Sequence, residues 1–213
     1  MILNKDKALK VAEFLLKIKA VELKPNDPFT WASGWKSPIY CDNRKTLSFP
    51  DVRTYLRQAY SEIIVDAFGK PDVIAGVATG GIAQGALVAQ ELGIPFVYVR
   101  DKAKGHGLEN LIEGVIESGQ SVVLVEDLIS TGGSSLKAVE ALRNAGANVK
   151  GLAAIFTYSF DVSIDNFKNA SCPFVTLSDY DSLMEQALHM EYINESDLHS
   201  LQEWKVAPSK WKK

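Results

Sequence analysis

Apolar residues recur along this chain in two rhythms, short solid runs and longer stripes three or four positions apart, and the two alternate. The solid runs predict strands at 73–78, 94–99, 122–125 and 149–158, with a shorter one at 174–177. A strand apolar at nearly every position has no wet face, so these suit a parallel sheet covered on both sides. The stripes predict helices. One covers 4–20, with Leu9, Ala12 and Leu16 inward and Lys5, Lys7, Lys10 and Lys17 in water. Another covers 50–68, with Val52, Leu56, Ala59, Tyr60 and Ile63 on its inner side and Gly69 as its stop. A third covers 82–92 and ends at Gly93. A fourth carries Leu136, Val139 and Leu142 and ends at Asn144 and Gly146. Two tail helices are expected at 182–190 and 196–204. Strand–helix alternation implies an α/β fold with a mainly parallel sheet flanked by helices. No repeat or linker interrupts it, so residues 1–213 read as one domain, with 1–45 forming an N-terminal helix and hood.

Two stretches break the rhythm. Residues 25–44 are dense in turn formers and rings, among them Trp31, Trp35 and Tyr40, and read as a small β-hairpin. Its rings either pack on the body or stack on a planar base. Residues 100–110 hold Arg100, Lys102, Lys104 and His106 among glycines and small residues. They read as a mobile cationic loop, one arm of a long hairpin whose other arm returns at 111–116, and a plain solvated loop is the alternative.

The central stretch is where chemistry is expected. The run 122–125 leads into Glu126 and Asp127, then Leu128, Ile129, Ser130, Thr131, Gly132, Gly133, Ser134 and Ser135, then a helix. Small residues ahead of a helix N-terminus let backbone N–H groups approach an anion such as a phosphate monoester. The two acids repel anions and suit hydroxyls, or a metal ion carried by a substrate. Phosphate at the loop and hydroxyls at the acids describe a ribose 5-phosphate; a strand–turn–helix crossover with surface acids is the bland alternative. The turn Thr79-Gly80-Gly81 follows its own strand in the same way and could hold a second phosphate group on the same rim.

Composition narrows the rest. With 46 % apolar residues the chain can bury a sizeable core, and a net charge of −3 does not favour nucleic acid as a partner. No apolar run reaches a membrane span, and MILNKDKALK lacks a signal-peptide core. Cys41 and Cys172 read as free thiols in a reducing cytoplasm, and His106, His189 and His199 lack metal-ligand spacing, so no protein metal site is expected.

The stretch from Glu126 to Ser134 resembles the phosphoribosyl diphosphate (PRPP) motif of type I phosphoribosyltransferases: apolar strand, two acids, then a Thr-Gly-Gly turn. It is not a phosphate-binding loop of the kind that ends in Gly-Lys, because that Lys is absent. Phe29-Thr30, Ser33-Gly34, Lys36-Ser37-Pro38 and Tyr40 in the hood, with Arg100, Lys104 and His106-Gly107 in the loop, are similar to the orotate branch of that family. The resemblance implies a type I phosphoribosyltransferase fold and transfer of phosphoribosyl from PRPP to orotate in pyrimidine synthesis. It implies Mg²⁺ carried by PRPP, and a homodimer in which one subunit's mobile loop covers the other's site. It implies that Arg100, Lys104 and His106 meet the diphosphate and that Glu126 and Asp127 hold the ribose. Residues 128–134 would then cradle the 5-phosphate, Ser130 also bonding the base, with Lys104, His106 and Asp127 catalytic. Lys36 and Tyr40 would serve the orotate. Ala32, Asp101 and Tyr158 stand where other members carry Lys, Lys and Arg. Transfer to a purine or uracil, and PRPP binding without catalysis, are the competing readings; the hood opposes the first, and the intact loop with the negative charge opposes the second.

Overall fold

The computed structural model describes residues 2–30, 34, 36–102 and 111–211. Helix α1 (Lys5–Lys17) buries Ala8, Val11, Ala12, Leu15 and Leu16, an i, i+3, i+4, i+7 stripe, and Asn4 caps it by accepting from the Lys7 N–H. Two nested antiparallel pairs follow: β1 (Val21–Leu23) with β4 (Ile39–Cys41), and inside them β2 (Phe29–Thr30) with β3 (Lys36–Ser37). These are the hairpin expected over 25–44. A 3₁₀ turn, Asn43–Ser48, leads into α2 (Pro50–Phe68), which starts on proline and stops at Gly69.

The rest alternates as the apolar pattern required. β5 (Val73–Val77) leads to α3 (Gly80–Leu92), then β6 (Phe96–Val99) and the short β7 (Ile112–Glu113). β8 (Ser121–Ile129) leads to α4 (Gly133–Asn144), then β9 (Asn148–Thr157), α5 (Asp161–Asn169), β10 (Phe174–Asp179), α6 (Tyr180–His189) and α7 (Glu195–Val206). The six-stranded sheet runs β10-β9-β8-β5-β6-β7 and is parallel except for β7. This is the α/β fold with a mainly parallel sheet flanked by helices anticipated from the sequence.

The solid runs are solid because each strand feeds two cores. Val123 and Val125 of β8 join one face with residues of α1, α2, α3, α6 and α7, while Val122 and Leu124 join the other with residues of α4 and α5. Three departures have local causes. β8 continues four residues past Val125, because Leu128 and Ile129 still pair with Phe156 and Thr157 on β9. Helix α3 starts at Gly80, so the turn expected at 79–81 is its first turn. Helix α5 has no sequence signal: Val162 and Ile164 face solvent, and among its apolar residues Phe167 alone is buried.

The tail is anchored by rings. Trp204 of α7 lies 5.6 Å from Tyr158 and Tyr180 and 5.5 Å from Phe160, and is 1 % exposed. Trp204→Ala should cost about 3–5 kcal/mol, the usual figure for removing a buried indole. Urea unfolding of the two chains measures it, and a loss under 1 kcal/mol (about a fivefold change in the folding constant) would contradict this packing.

Candidate functional site

Every parallel strand ends on one rim, and the sequence order reverses between β5 and β8: β5 leads to β6 on one side, while β8 lies on the other. Such a switch point opens a crevice beyond the strand ends. A cleft of about 370 Å³ lies there, between Ala78, Thr79 and Gly80 beyond β5 and Glu126, Asp127 and Leu128 of β8. The Ala78–Thr79 peptide bond is cis.

The glycines of the β5 turn are explained by packing. A Cβ on Gly80 would fall on the Asp127 carboxyl, and one on Gly81 would fall on the Val125 carbonyl oxygen. A Cβ on Gly76 would lie 2.8 Å from the Gly81 carbonyl oxygen. So α3 starts pressed against β8, a closeness only missing side chains allow. The end of β8 is also held through its backbone. Tyr60 donates to the Glu126 carbonyl at 2.5 Å and Asn43 donates from Nδ2 to the Asp127 carbonyl at 2.7 Å.

The two acids, equivalent in the sequence, differ here. Asp127 is half-buried and lines the cleft. Glu126 is 5 % exposed; its Oε1 accepts from the Asp127 N–H and its Oε2 from the Ser135 hydroxyl, both at 3.0 Å. Glu126 thus ties the strand end to the first turn of α4. Burial and the neighbouring Asp127 push its carboxyl well above the ordinary 4.5. Burial, with Asp127 beside it, likewise pushes the Cys41 thiol up, so Cys41 lines the cleft as a neutral group.

The Glu126 shift has a sign for stability. A carboxyl that holds its proton more tightly when folded makes stability fall as pH rises from 4.5 through its folded value. Glu126→Gln removes that loss. It should raise the melting temperature at pH 8 more than at pH 4, read by thermal unfolding without ligand; an equal effect at both would show that Glu126 carries no raised pKa.

Between β8 and α4, Gly132 has φ 83°, and a Cβ there would lie 2.7 Å from the Phe167 ring. Among the described residues no side chain caps α4, which leaves its first N–H groups as donors for an anion. Ser134 lines the cleft; Ser130 and Thr131 turn to the other side, toward α5 and α7; Ile129 is wholly buried. Gly133 is the first residue of α4.

The remaining expected residues scatter. Arg100, beyond β6, pairs with Glu113 at 3.3 Å and lines a neighbouring cavity that shares Ala78 and Ser134 with the cleft. Lys36 donates to the Thr30 hydroxyl at 2.9 Å within the hood hairpin and is not among the cleft-lining residues. Tyr40, 40 % exposed, packs on Phe29 at 5.6 Å, next in sequence to the cleft. Lys104 and His106 lie outside the described residues, as do Trp31, Ala32, Ser33 and Trp35 of the hood. Arg44 and Asn43 were not singled out by sequence reasoning, and Tyr60 and Ser135 were read only as an inner helix position and as part of the small-residue loop. A charged residue at the end of the hood, and a Tyr on an apolar helix face, carry no signal until the sheet brings them to the rim.

Among the described residues no His, Cys, Asp and Glu cluster of three or more could hold a metal ion, and no helix is long and apolar enough to cross a membrane.

The family described as "Phosphoribosyl transferase domain" matches residues 45–175. The orotate phosphoribosyltransferase of Phocaeicola vulgatus is 58 % identical over 200 residues, 94 % of each chain. That of Listeria monocytogenes is 57 % identical over 203 residues, 95 % of this chain and 97 % of its own. The chain belongs to the orotate phosphoribosyltransferase family. The crystal structure of the orotate phosphoribosyltransferase from Aeropyrum pernix superposes with a TM-score of 0.75 at 27 % identity, over 86 % of this chain and 99 % of that one. The family match starts at residue 45, after the hood. The alignments with the two relatives span 94 % and 95 % of this chain, so they take in most of the hood that the family match leaves out.

Proposed function

We propose that this chain joins orotate to PRPP, giving orotidine 5′-phosphate and pyrophosphate, with Mg²⁺ arriving on the diphosphate as part of the substrate. The lone pair of orotate N1 forms a bond to ribose C1 as the bond from C1 to the diphosphate oxygen breaks. The leaving pyrophosphate takes the electron pair, and the proton on orotate N1 passes to it or to water. Negative charge therefore grows on the leaving oxygen and positive charge on the sugar ring.

Each need has a candidate in the chain. The uncapped first turn of α4, at Gly133 and Ser134, offers N–H groups to the 5-phosphate. Asp127 offers its carboxyl to the ribose hydroxyls beside the developing positive charge, and Glu126 orders it from behind through the Asp127 N–H. Arg100, Lys104 and His106 meet the diphosphate, and the rings of the hood cover the base. The chain acts as a homodimer in the cytoplasm, its 100–110 segment reaching the site of the second subunit.

The observation that carries this reading is the cleft at the β5–β8 switch point. There an acid, Asp127, and the first turn of α4, at Ser134, line one cleft, as one sugar phosphate requires. The test is the fall in orotate absorbance on adding PRPP and Mg²⁺, with each omitted in turn. Turnover of hypoxanthine or uracil but not of orotate would overturn the base assignment.

A further inference from the structure

The cleft presents an electrostatic problem. Both proposed substrates are anions, yet Asp42, Glu126 and Asp127 put three carboxyl groups in its wall. Among the described lining residues Arg44 is the one cation. Of the other cations suggested by the sequence, Lys36 donates to Thr30, Arg100 pairs with Glu113 and lines the neighbouring cavity, and Lys104 and His106 lie outside the described residues.

Arg44 is held for use. It sits at the start of the 3₁₀ turn that follows β4, where Asp42 accepts its backbone N–H at 3.3 Å and its Nε at 2.7 Å. That fixes the guanidinium root by one edge. Among the described residues no partner meets its two Nη groups. The side chain is 60 % exposed, so this head is open to a ligand. Across the cleft lie Asp127 on one side and the Thr79–Gly80 turn on the other. A planar fork with one edge anchored and the other free suits a two-pronged grip on an oxyanion.

We propose that Arg44 is the cleft's fixed anion-binding residue, presenting its free edge to a substrate oxyanion beside the reacting C1. This rests on the reaction proposed above, in which two oxyanions flank that carbon. One is the orotate carboxylate, on the ring carbon next to N1; the other is the diphosphate, on C1 itself. Asp42 is a positioning residue: it aims the fork and does not touch the ligand.

The experiment compares wild type with Arg44→Ala, Arg44→Lys and Asp42→Asn. Melting temperature is the control for folding, since the Arg44 side chain is exposed and the Asp42 side chain caps the turn through the Arg44 backbone N–H, which substitution at 44 leaves in place. Calorimetry measures binding of Mg²⁺-pyrophosphate alone, of PRPP, and of orotate in the presence of Mg²⁺-pyrophosphate. Arg44→Ala should weaken one arm by about 10- to 100-fold, the usual effect of losing a charge-assisted pair of hydrogen bonds. A loss in the pyrophosphate and PRPP arms assigns the diphosphate; a loss confined to orotate assigns the carboxylate. Arg44→Lys should not restore the fork, and Asp42→Asn should weaken the same arm by less. Unchanged binding in every arm, in folded Arg44→Ala, overturns the proposal. Failure of the wild type to bind any of these ligands would instead refute the reaction assigned to the chain.

Discussion

Gly80→Ala should lower kcat/KM for orotate by about 10², while the protein stays folded. The added methyl falls on the carboxyl of Asp127, not on backbone. A carboxyl can rotate away, so the fold survives, but Asp127 then leaves the position from which it would hold the ribose. Misplacing a positioned group by about 1 Å is enough for a loss of that size. Gly81→Ala is the matched control. Its methyl falls on the Val125 carbonyl oxygen, which cannot rotate away. That change should appear as lost stability, about 1–3 kcal/mol by the usual cost of overpacking. Thermal unfolding and steady-state kinetics on both variants separate the two outcomes. Wild-type kinetics in Gly80→Ala would mean that Asp127 does not work from this position.

Lys104→Ala should lower kcat by about 10²–10³ with little change in melting temperature, the scale of losing one preorganised group that stabilises transition-state charge. Lys104 lies outside the described residues, so the expectation rests on charge alone. The developing negative charge is on the diphosphate, and the described cleft offers Arg44 as its one cation. If the segment serves the second subunit, mixing Lys104→Ala chains with Asp127→Asn chains should restore part of the activity. One site in each heterodimer then keeps both residues. Wild-type turnover in Lys104→Ala would remove that segment from the mechanism. No recovery in verified heterodimers would mean that each chain serves its own site.

Much of the architecture was legible because burial on two sides leaves a mark that needs no partner to be seen. The runs at 73–78, 122–125 and 149–158 are mostly apolar, and each feeds both cores. Gly69, Gly93 and Gly146 end helices with positive φ, as punctuation of this kind does in any fold. Helix α5 left no mark because Phe167 is its one buried apolar residue. The end of β8 was misread for a related reason: Glu126 and Asp127 look like the close of a strand, yet β9 keeps pairing with it to Ile129.

The site divides along the same line. The acid pair, the Thr-Gly-Gly turn and the helix after it are neighbours in the chain, so their order alone raised the expectation of a sugar-phosphate site on the rim of a parallel sheet. Which acid faces the ligand was decided by the fold: Ser135 and the Asp127 N–H claim the oxygens of Glu126, and Asp127 is left to the cleft. The same is true of the role of Gly80, which makes room for a side chain 47 positions later in the chain, and of Arg44, which enters the cleft only because the hood strand β4 ends beside β8. Local order can specify a helix, a strand or an uncapped helix terminus, since those depend on residues a few positions apart. Contact, burial and charge pairing depend on which distant segments meet, and only the packed sheet brings them together.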